Sequence, residues 1–227
     1  MADYTKPDYW QLLAQKEGYP ARSVYKLKEI DEKFNVLKQA AQGKQNRSSD
    51  KPGFRILDIG AAPGSWSLYV LRKLNGAGLL VSADLSPLSR QYDKGLFDGE
   101  NFFFVQGDIT NSAIRQTILS YGPYNLILSD AAPATTGNRW IDTARSMDLA
   151  QAVLEYAQVA LDKGGNMVIK VFQGEDTVAI LKQIKELFNT GKSFKPETCR
   201  SESFETYYLG LGKKLLPTGK SSIEIVL

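Results

Sequence analysis

The stretch Phe54-Arg-Ile-Leu-Asp-Ile-Gly60-Ala-Ala-Pro-Gly-Ser-Trp66 decides the fold. Phe54–Ile59 is an apolar run that ends beside Asp58 and Gly60. A short apolar run that stops at glycine and opens into a helical pattern reads as a buried strand turning into a helix. The helix is predicted over Ser65–Leu74, with Trp66, Tyr69, Val70 and Leu74 on one side.

The same unit recurs C-terminally. Strands are predicted at Leu79–Ala83, ending at Asp84, at Phe102–Gln106, ending at Gly107-Asp108, and at Tyr124–Leu128, ending at Ser129-Asp130. A long helix follows from about Asp142 to Leu161, Gly164-Gly165 opens a strand at Met167–Phe172, and a helix covers about Asp176–Phe188. Thr206–Leu211 and Ile223–Leu227 are two closing strands joined by a turn rich in Gly, Pro and Lys. Near-continuous apolar strands alternating with helices imply a parallel sheet covered on both faces. The expected class is α/β, a Rossmann-like, mostly parallel, doubly wound sheet with an antiparallel edge hairpin at the C-terminus.

N-terminally, residues 1–38 read as helical, with Val24, Leu27, Ile30, Phe34 and Leu37 as a core-facing stripe. Residues 39–53 are polar and rich in breakers, a flexible loop ahead of the main domain at 54–227.

Composition removes several chemistries. The 227 residues contain no histidine and one cysteine, Cys199. Ser-His and Cys-His nucleophiles, a histidine base, His-ligated metals, multi-Cys zinc sites and an intrachain disulfide are excluded. Acid–base work falls to Lys, Asp, Glu or Tyr. No metal is expected. No apolar run reaches the roughly 18 residues of a membrane span, and the N-terminus has no signal-peptide core. A soluble, cytoplasmic, monomeric protein with no membrane partner is expected. The net charge of +3 is compatible with an anionic partner without demonstrating one.

Asp58, Asp84, Asp108 and Asp130 each sit at or just past a strand end, where ligands of open α/β sheets bind. A single Asp there is an ordinary turn or cap residue. Four of them beside a Gly-rich first turn indicate a nucleotide-like ligand. Ala62 replaces the middle glycine of a dinucleotide loop, and Pro63 removes a donor from the Gly60–Gly64 turn. That loop cradles phosphate poorly, which disfavours NAD and points to S-adenosyl-L-methionine. Asp84, 24 residues beyond Gly60, suits ribose hydroxyls, and Asp108 suits the adenine amino group.

Lys26 in Ser23-Val-Tyr-Lys-Leu27, Asp130 in Leu128-Ser-Asp-Ala-Ala-Pro133, Lys170 in Ile169-Lys-Val-Phe172 and Glu205 in Phe204-Glu-Thr-Tyr207 resemble the Lys-Asp-Lys-Glu tetrad of the FtsJ-type ribose 2′-O-methyltransferases. Asp58–Trp66 and Lys170–Glu175 are similar to that family too, and the likeness runs from about Tyr9 to Gly212. Residues 39–53 and 213–227 are additions to the family pattern. The resemblance implies a methyltransferase with catalytic Lys26, Asp130, Lys170 and Glu205. Asp58, Gly60, Pro63, Gly64, Trp66, Asp84, Asp108 and Asp130 would bind S-adenosylmethionine. The nearest branch modifies a uridine of 23S rRNA in the large ribosomal subunit; a related branch methylates tRNA anticodon loops. A non-catalytic RNA-binding assembly module of the same fold is the rival from another class.

A ribose 2′-hydroxyl is a weak nucleophile and needs a base and alignment. Lys170 is the candidate base. Moving a lysine from ~10.4 to about 7 costs roughly 4–5 kcal/mol, and desolvation and the Lys26 ammonium act in that direction. Asp130 and Glu205 oppose that shift by charge, while holding the lysines and the hydroxyl in line. Outside this constellation, a strand-end lysine that snorkels to water is the plainer reading. Ser129-Asp130-Ala-Ala-Pro133 lacks the aromatic used in base amino methylation, and Cys199 lacks the preceding proline of pyrimidine C5 enzymes. RNA contacts are expected from Lys6, Lys16, Arg22, Lys26 and Lys28, with Tyr4, Tyr9, Trp10 and Tyr25 among them. A C-terminal group, Lys192, Lys195, Arg200, Lys213, Lys214 and Lys220, is expected to join them.

Overall fold

The computed structural model describes residues 7–38, 53–174, 177–200 and 203–215. Five strands follow the predicted parallel pattern: β1 (Arg55–Ile59), β2 (Leu79–Asp84), β3 (Phe102–Gln106), β4 (Tyr124–Ser129) and β5 (Leu161–Phe172). Two more, β6 (Phe188–Phe194) and β7 (Glu205–Lys213), are antiparallel to their neighbours. Among the described residues the sheet order is β3-β2-β1-β4-β5-β7-β6.

Apolar side chains on both faces explain the central strands. Ile56, Leu80, Leu126 and Val168 point into one core, while Leu57, Val81, Ile127 and Ile169 point into the other. All eight are fully buried, each contributing about 1.5–3 kcal/mol of transfer free energy. Helices α1 (Tyr9–Lys16), α2 (Val24–Phe34) and α3 (Ser65–Leu74) cover the first face. Helices α4 (Ser112–Ser120), α5 (Arg139–Ala160) and α6 (Thr177–Leu187) cover the second. Among the described residues no helix is long and apolar enough to cross a membrane.

The N-terminal stripe read as core-facing keeps its place: Val24, Leu27 and Ile30 are fully buried in the same core as β1 and β4. Several expectations change. Helix α4 was not anticipated, because its apolar content is three residues around the fully buried Ile118; Asn111 starts it by accepting from the amides of Ala113 and Ile114. The helix expected to reach Phe188 stops at Leu187, and Phe188–Phe194 forms the edge strand instead. This strand hides its type because only its end residues are apolar. An edge strand carrying Gly191 and Lys192 needs no alternating pattern. The C-terminal hairpin therefore pairs β7 with β6; Ile223–Leu227 lies outside the described residues, as do residues 39–52. Strand β5 begins at Leu161 rather than Met167, with a register shift on β4 that accommodates Gly164-Gly165.

Candidate active site

The chain lays down β1 to β3 on one side, then returns to place β4 on the other. This switch point opens a crevice at the carboxyl ends of the strands. A cavity of about 460 Å³ fills it, lined by Gly60, Pro63, Asp84, Asp108, the segment Asp130–Ala134 and Lys170, among others. Gly60 has φ +75°, and a Cβ there would lie 2.4 Å from Ala131 Cα. Only glycine lets the loops after β1 and β4 touch.

Three carboxylates face this cavity. Asp84 Oδ2 accepts from the Ala62 amide at 2.9 Å, and Oδ1 from the Ser86 amide at 2.8 Å. Asp108 Oδ1 accepts from the amide and hydroxyl of Thr110, which hold its carboxyl below the usual range. Asp130 Oδ1 accepts from the Tyr207 hydroxyl at 2.7 Å and lies 3.1 Å from Lys170 Nζ. Lys170 Nζ also donates to the Asp130 carbonyl at 2.5 Å. Lys170 is the one cation among the lining residues. Such a lining suits hydroxyls and a positive centre and repels phosphates.

Asp58, Gly64 and Trp66 do not line this cavity. Asp58 is fully buried behind it, accepting from the Ser67 hydroxyl at 2.7 Å, and burial pushes its carboxyl up to about 7. Gly64 starts α3 at φ +108°. Trp66 Nε1 donates to the Ser23 carbonyl at 2.9 Å, and Ser65 Oγ exchanges hydrogen bonds with the Ala21 backbone. The end of the first turn thus anchors the segment entering α2.

That segment builds a second cavity of about 370 Å³, lined by Ala21, Arg22, Ser23, Lys26, Arg200, Ser203 and Glu205. Ser23 lines both cavities. Lys26 Nζ lies 2.5 Å from Glu205 Oε1, both side chains being about one-eighth exposed. Arg22 pairs with Asp8, which caps α1, and donates to the Thr198 carbonyl at 2.6 Å. Arg200 Nη2 lies 3.7 Å from the same Asp8 oxygen.

The expected four residues therefore form two lysine–carboxylate pairs, Lys170 with Asp130 and Lys26 with Glu205. Their common side of the sheet follows from the period of two. Val168 and Leu209 point into the core under α2, so Lys170, Glu205 and Tyr207 share that face. Tyr207 is the residue that sequence reasoning missed. It stands opposite Lys170 in the β5–β7 register, and burial raises its phenol well above the ordinary value. The alternation Glu205-Thr206-Tyr207 carried the signal.

Most of the expected RNA-contacting lysines have structural partners. Lys213 donates to the carbonyls of Gln158 and Leu161, and Lys214 to those of Lys185 and Glu186; they close the C-terminal ends of α5 and α6. Lys28 pairs with Glu17, and Lys195 donates to the Ser203 carbonyl. Tyr4, Lys6 and Lys220 lie outside the described residues.

Residues 19–213 match the model of the FtsJ-like methyltransferase family. The Ribosomal RNA large subunit methyltransferase E of Treponema denticola is 46% identical over 211 residues, 93% of this chain and 97% of that protein. The protein of the same name from Oleidesulfovibrio alaskensis is 42% identical, over 92% of this chain and 93% of its own. A Plasmodium falciparum crystal structure that carries the name ribosomal RNA methyltransferase superposes with a TM-score of 0.66 at 24% identity, covering 86% of this chain and 98% of that one. Aeropyrum pernix fibrillarin with natively bound S-adenosyl-L-methionine superposes at 0.52 with 16% identity, covering 77% and 74%. At these identities the two structures speak for the fold.

Proposed function

The chain belongs to the FtsJ-like methyltransferase family, and on that footing we propose that it transfers a methyl group from S-adenosylmethionine to a ribose 2′-hydroxyl of large-subunit ribosomal RNA, at a uridine of 23S rRNA. One observation carries the reading: a carboxylate-lined cavity and a cation-lined cavity meet at Ser23, with one lysine–carboxylate pair on each.

The donor set of the first cavity fits the methyl donor, which combines ribose hydroxyls with a sulfonium and lacks phosphate. Asp84 would hold the ribose, Asp108 the adenine side, and Asp130 the charged end. Bound S-adenosylmethionine supplies an electrophilic methyl group.

The second cavity receives the RNA. Arg22 and Arg200 face its phosphates and Lys26 the ribose. Lys170, once its ammonium has passed a proton to solvent, would take the proton of the 2′-hydroxyl as that oxygen bonds to the methyl carbon and the thioether sulfur of the bound donor leaves. Asp130 and Tyr207 fix the position of Nζ throughout. Alignment of this kind is worth several kcal/mol, and a positioned base about 10²–10⁴-fold in rate.

The large-subunit names of relatives at 42–46% identity favour ribosomal RNA over a tRNA anticodon loop. The test is methyl transfer from labelled S-adenosylmethionine to ribosomal RNA and to tRNA, followed by nuclease mapping. Label at a ribose 2′-oxygen of large-subunit RNA is expected. Label confined to tRNA, or on a base, would overturn the proposal.

A further inference from the structure

Trp140 is 78% exposed, although an exposed tryptophan is uncommon and large exposed apolar surface marks interaction sites. It occupies the first turn of α5, where the Asn138 side chain accepts from its amide at 3.0 Å, so its backbone is held by a cap. Asp142 fixes the same turn by accepting from the amides of Thr136 and Gly137 and the Thr136 hydroxyl.

The turn has two flanks. On one, Arg145 reaches the Ala134 carbonyl at the lip of the carboxylate cavity. On the other, the Arg139 guanidinium lies 5.5 Å over the ring of Phe204, the neighbour of Glu205. Thr143 packs on Gly174, where an added Cβ would lie 2.5 Å from its methyl group. Phe204 stacks edge-on against Phe172, with centroids 4.8 Å apart. At 100° per residue, Trp140 falls beyond Thr143 on the Arg139 flank, the flank beside β5 and β7. It also points away from the buried row Asp142, Ser146 and Ala150. No ring of the described residues stacks on it.

We propose that Trp140 is a stacking platform for an unpaired RNA base next to the methylated nucleotide, with Arg139 and Arg145 drawing in the flanking phosphates. The proposal rests on the function assigned above. RNA suits this patch because a flat exposed ring on a helix turn that also carries two guanidiniums matches a base with its flanking phosphates. The pre-set helix turn removes part of the ordering cost.

The test uses full-length protein and a single-stranded ribo-oligonucleotide containing the mapped target site. Trp140→Ala is expected to raise KM for this RNA about 5- to 100-fold, with kcat and S-adenosylmethionine affinity unchanged. Trp140→Phe should recover most of the loss, and the RNA should quench tryptophan fluorescence in the wild type but much less in Trp140→Phe. An unchanged KM in Trp140→Ala, with wild type active on the same RNA, overturns the stacking role alone. A defect seen with ribosomal particles and absent with the oligonucleotide also overturns it, because the ring would then meet protein. Inactivity of the wild type on every RNA would strike the underlying function instead.

Discussion

The two cavities differ in sign and in construction. The first has three carboxylates and one ammonium and is assembled from consecutive strand ends, β1 to β5. The second has two guanidiniums and an ammonium against one carboxylate, and it joins residues 21–26 to Arg200, Ser203 and Glu205. The first matches a small cationic ligand rich in hydroxyls, the second a polyanion. The proposed function confines the chemistry to their junction, where Lys170 is held by Asp130 and Lys26 by Glu205.

The largest effect should come from the junction. Lys170→Ala is expected to slow single-turnover methyl transfer about 10²–10⁴-fold while leaving S-adenosylmethionine affinity unchanged. Lys170→Arg should fail nearly as badly, because a guanidinium keeps its proton. A near-normal rate in that variant would mean that the lysine supplies charge rather than proton transfer.

The next effect separates the cavities. Asp84→Ala should weaken S-adenosylmethionine binding about 10- to 100-fold by calorimetry, since each hydrogen bond to a charged group is worth about 1.5–3 kcal/mol. RNA affinity should stay the same, and a matching fall in RNA affinity would erase the division. Arg22→Ala should do the reverse. Its RNA affinity should fall severalfold, and the slope of log affinity against log salt should flatten by about 0.7, one phosphate contact. An unchanged salt slope would remove Arg22 from the RNA path.

The smallest effect concerns the buried support of the first cavity. The folded protein holds the Asp58 carboxyl at about 7, against the ordinary 3.8 of an aspartate in water. Between those values the folded state binds a proton that the unfolded chain has lost. Asp58 therefore makes stability fall as pH rises from about 4 to 7. Urea midpoints of Asp58→Asn should lack this decline, and curves parallel to the wild type would contradict it.

How far each half could be read in advance follows its construction. Strands β1 to β4 are near-continuous apolar runs ending in Gly or Asp, so local pattern alone placed Asp84, Asp108 and Asp130 at the crevice. The antiparallel half carries no such mark. Phe188 reads as the end of a helix, residues 189–194 carry no strand pattern, and their pairing with Glu205–Lys213 is a long-range fact. Lys26 and Glu205 could be joined only through the family pattern, because nothing local relates residues that far apart. Asp58 and Trp66 show what local pattern leaves out. Both lie in the loop expected to bind the cofactor; one is buried behind the cavity and the other holds Ser23. Lys213 and Lys214 could not be told from surface charge until the ends of α5 and α6 were known.

The most direct test of the division is a crystal structure of the protein with S-adenosylhomocysteine. The account predicts the ligand in the carboxylate-lined cavity, its ribose hydroxyls on Asp84 and its sulfur turned toward Asp130 and Lys170, with the Arg22–Arg200 cavity left open. Ligand density among Arg22, Lys26 and Arg200, with Asp84 untouched, would contradict it.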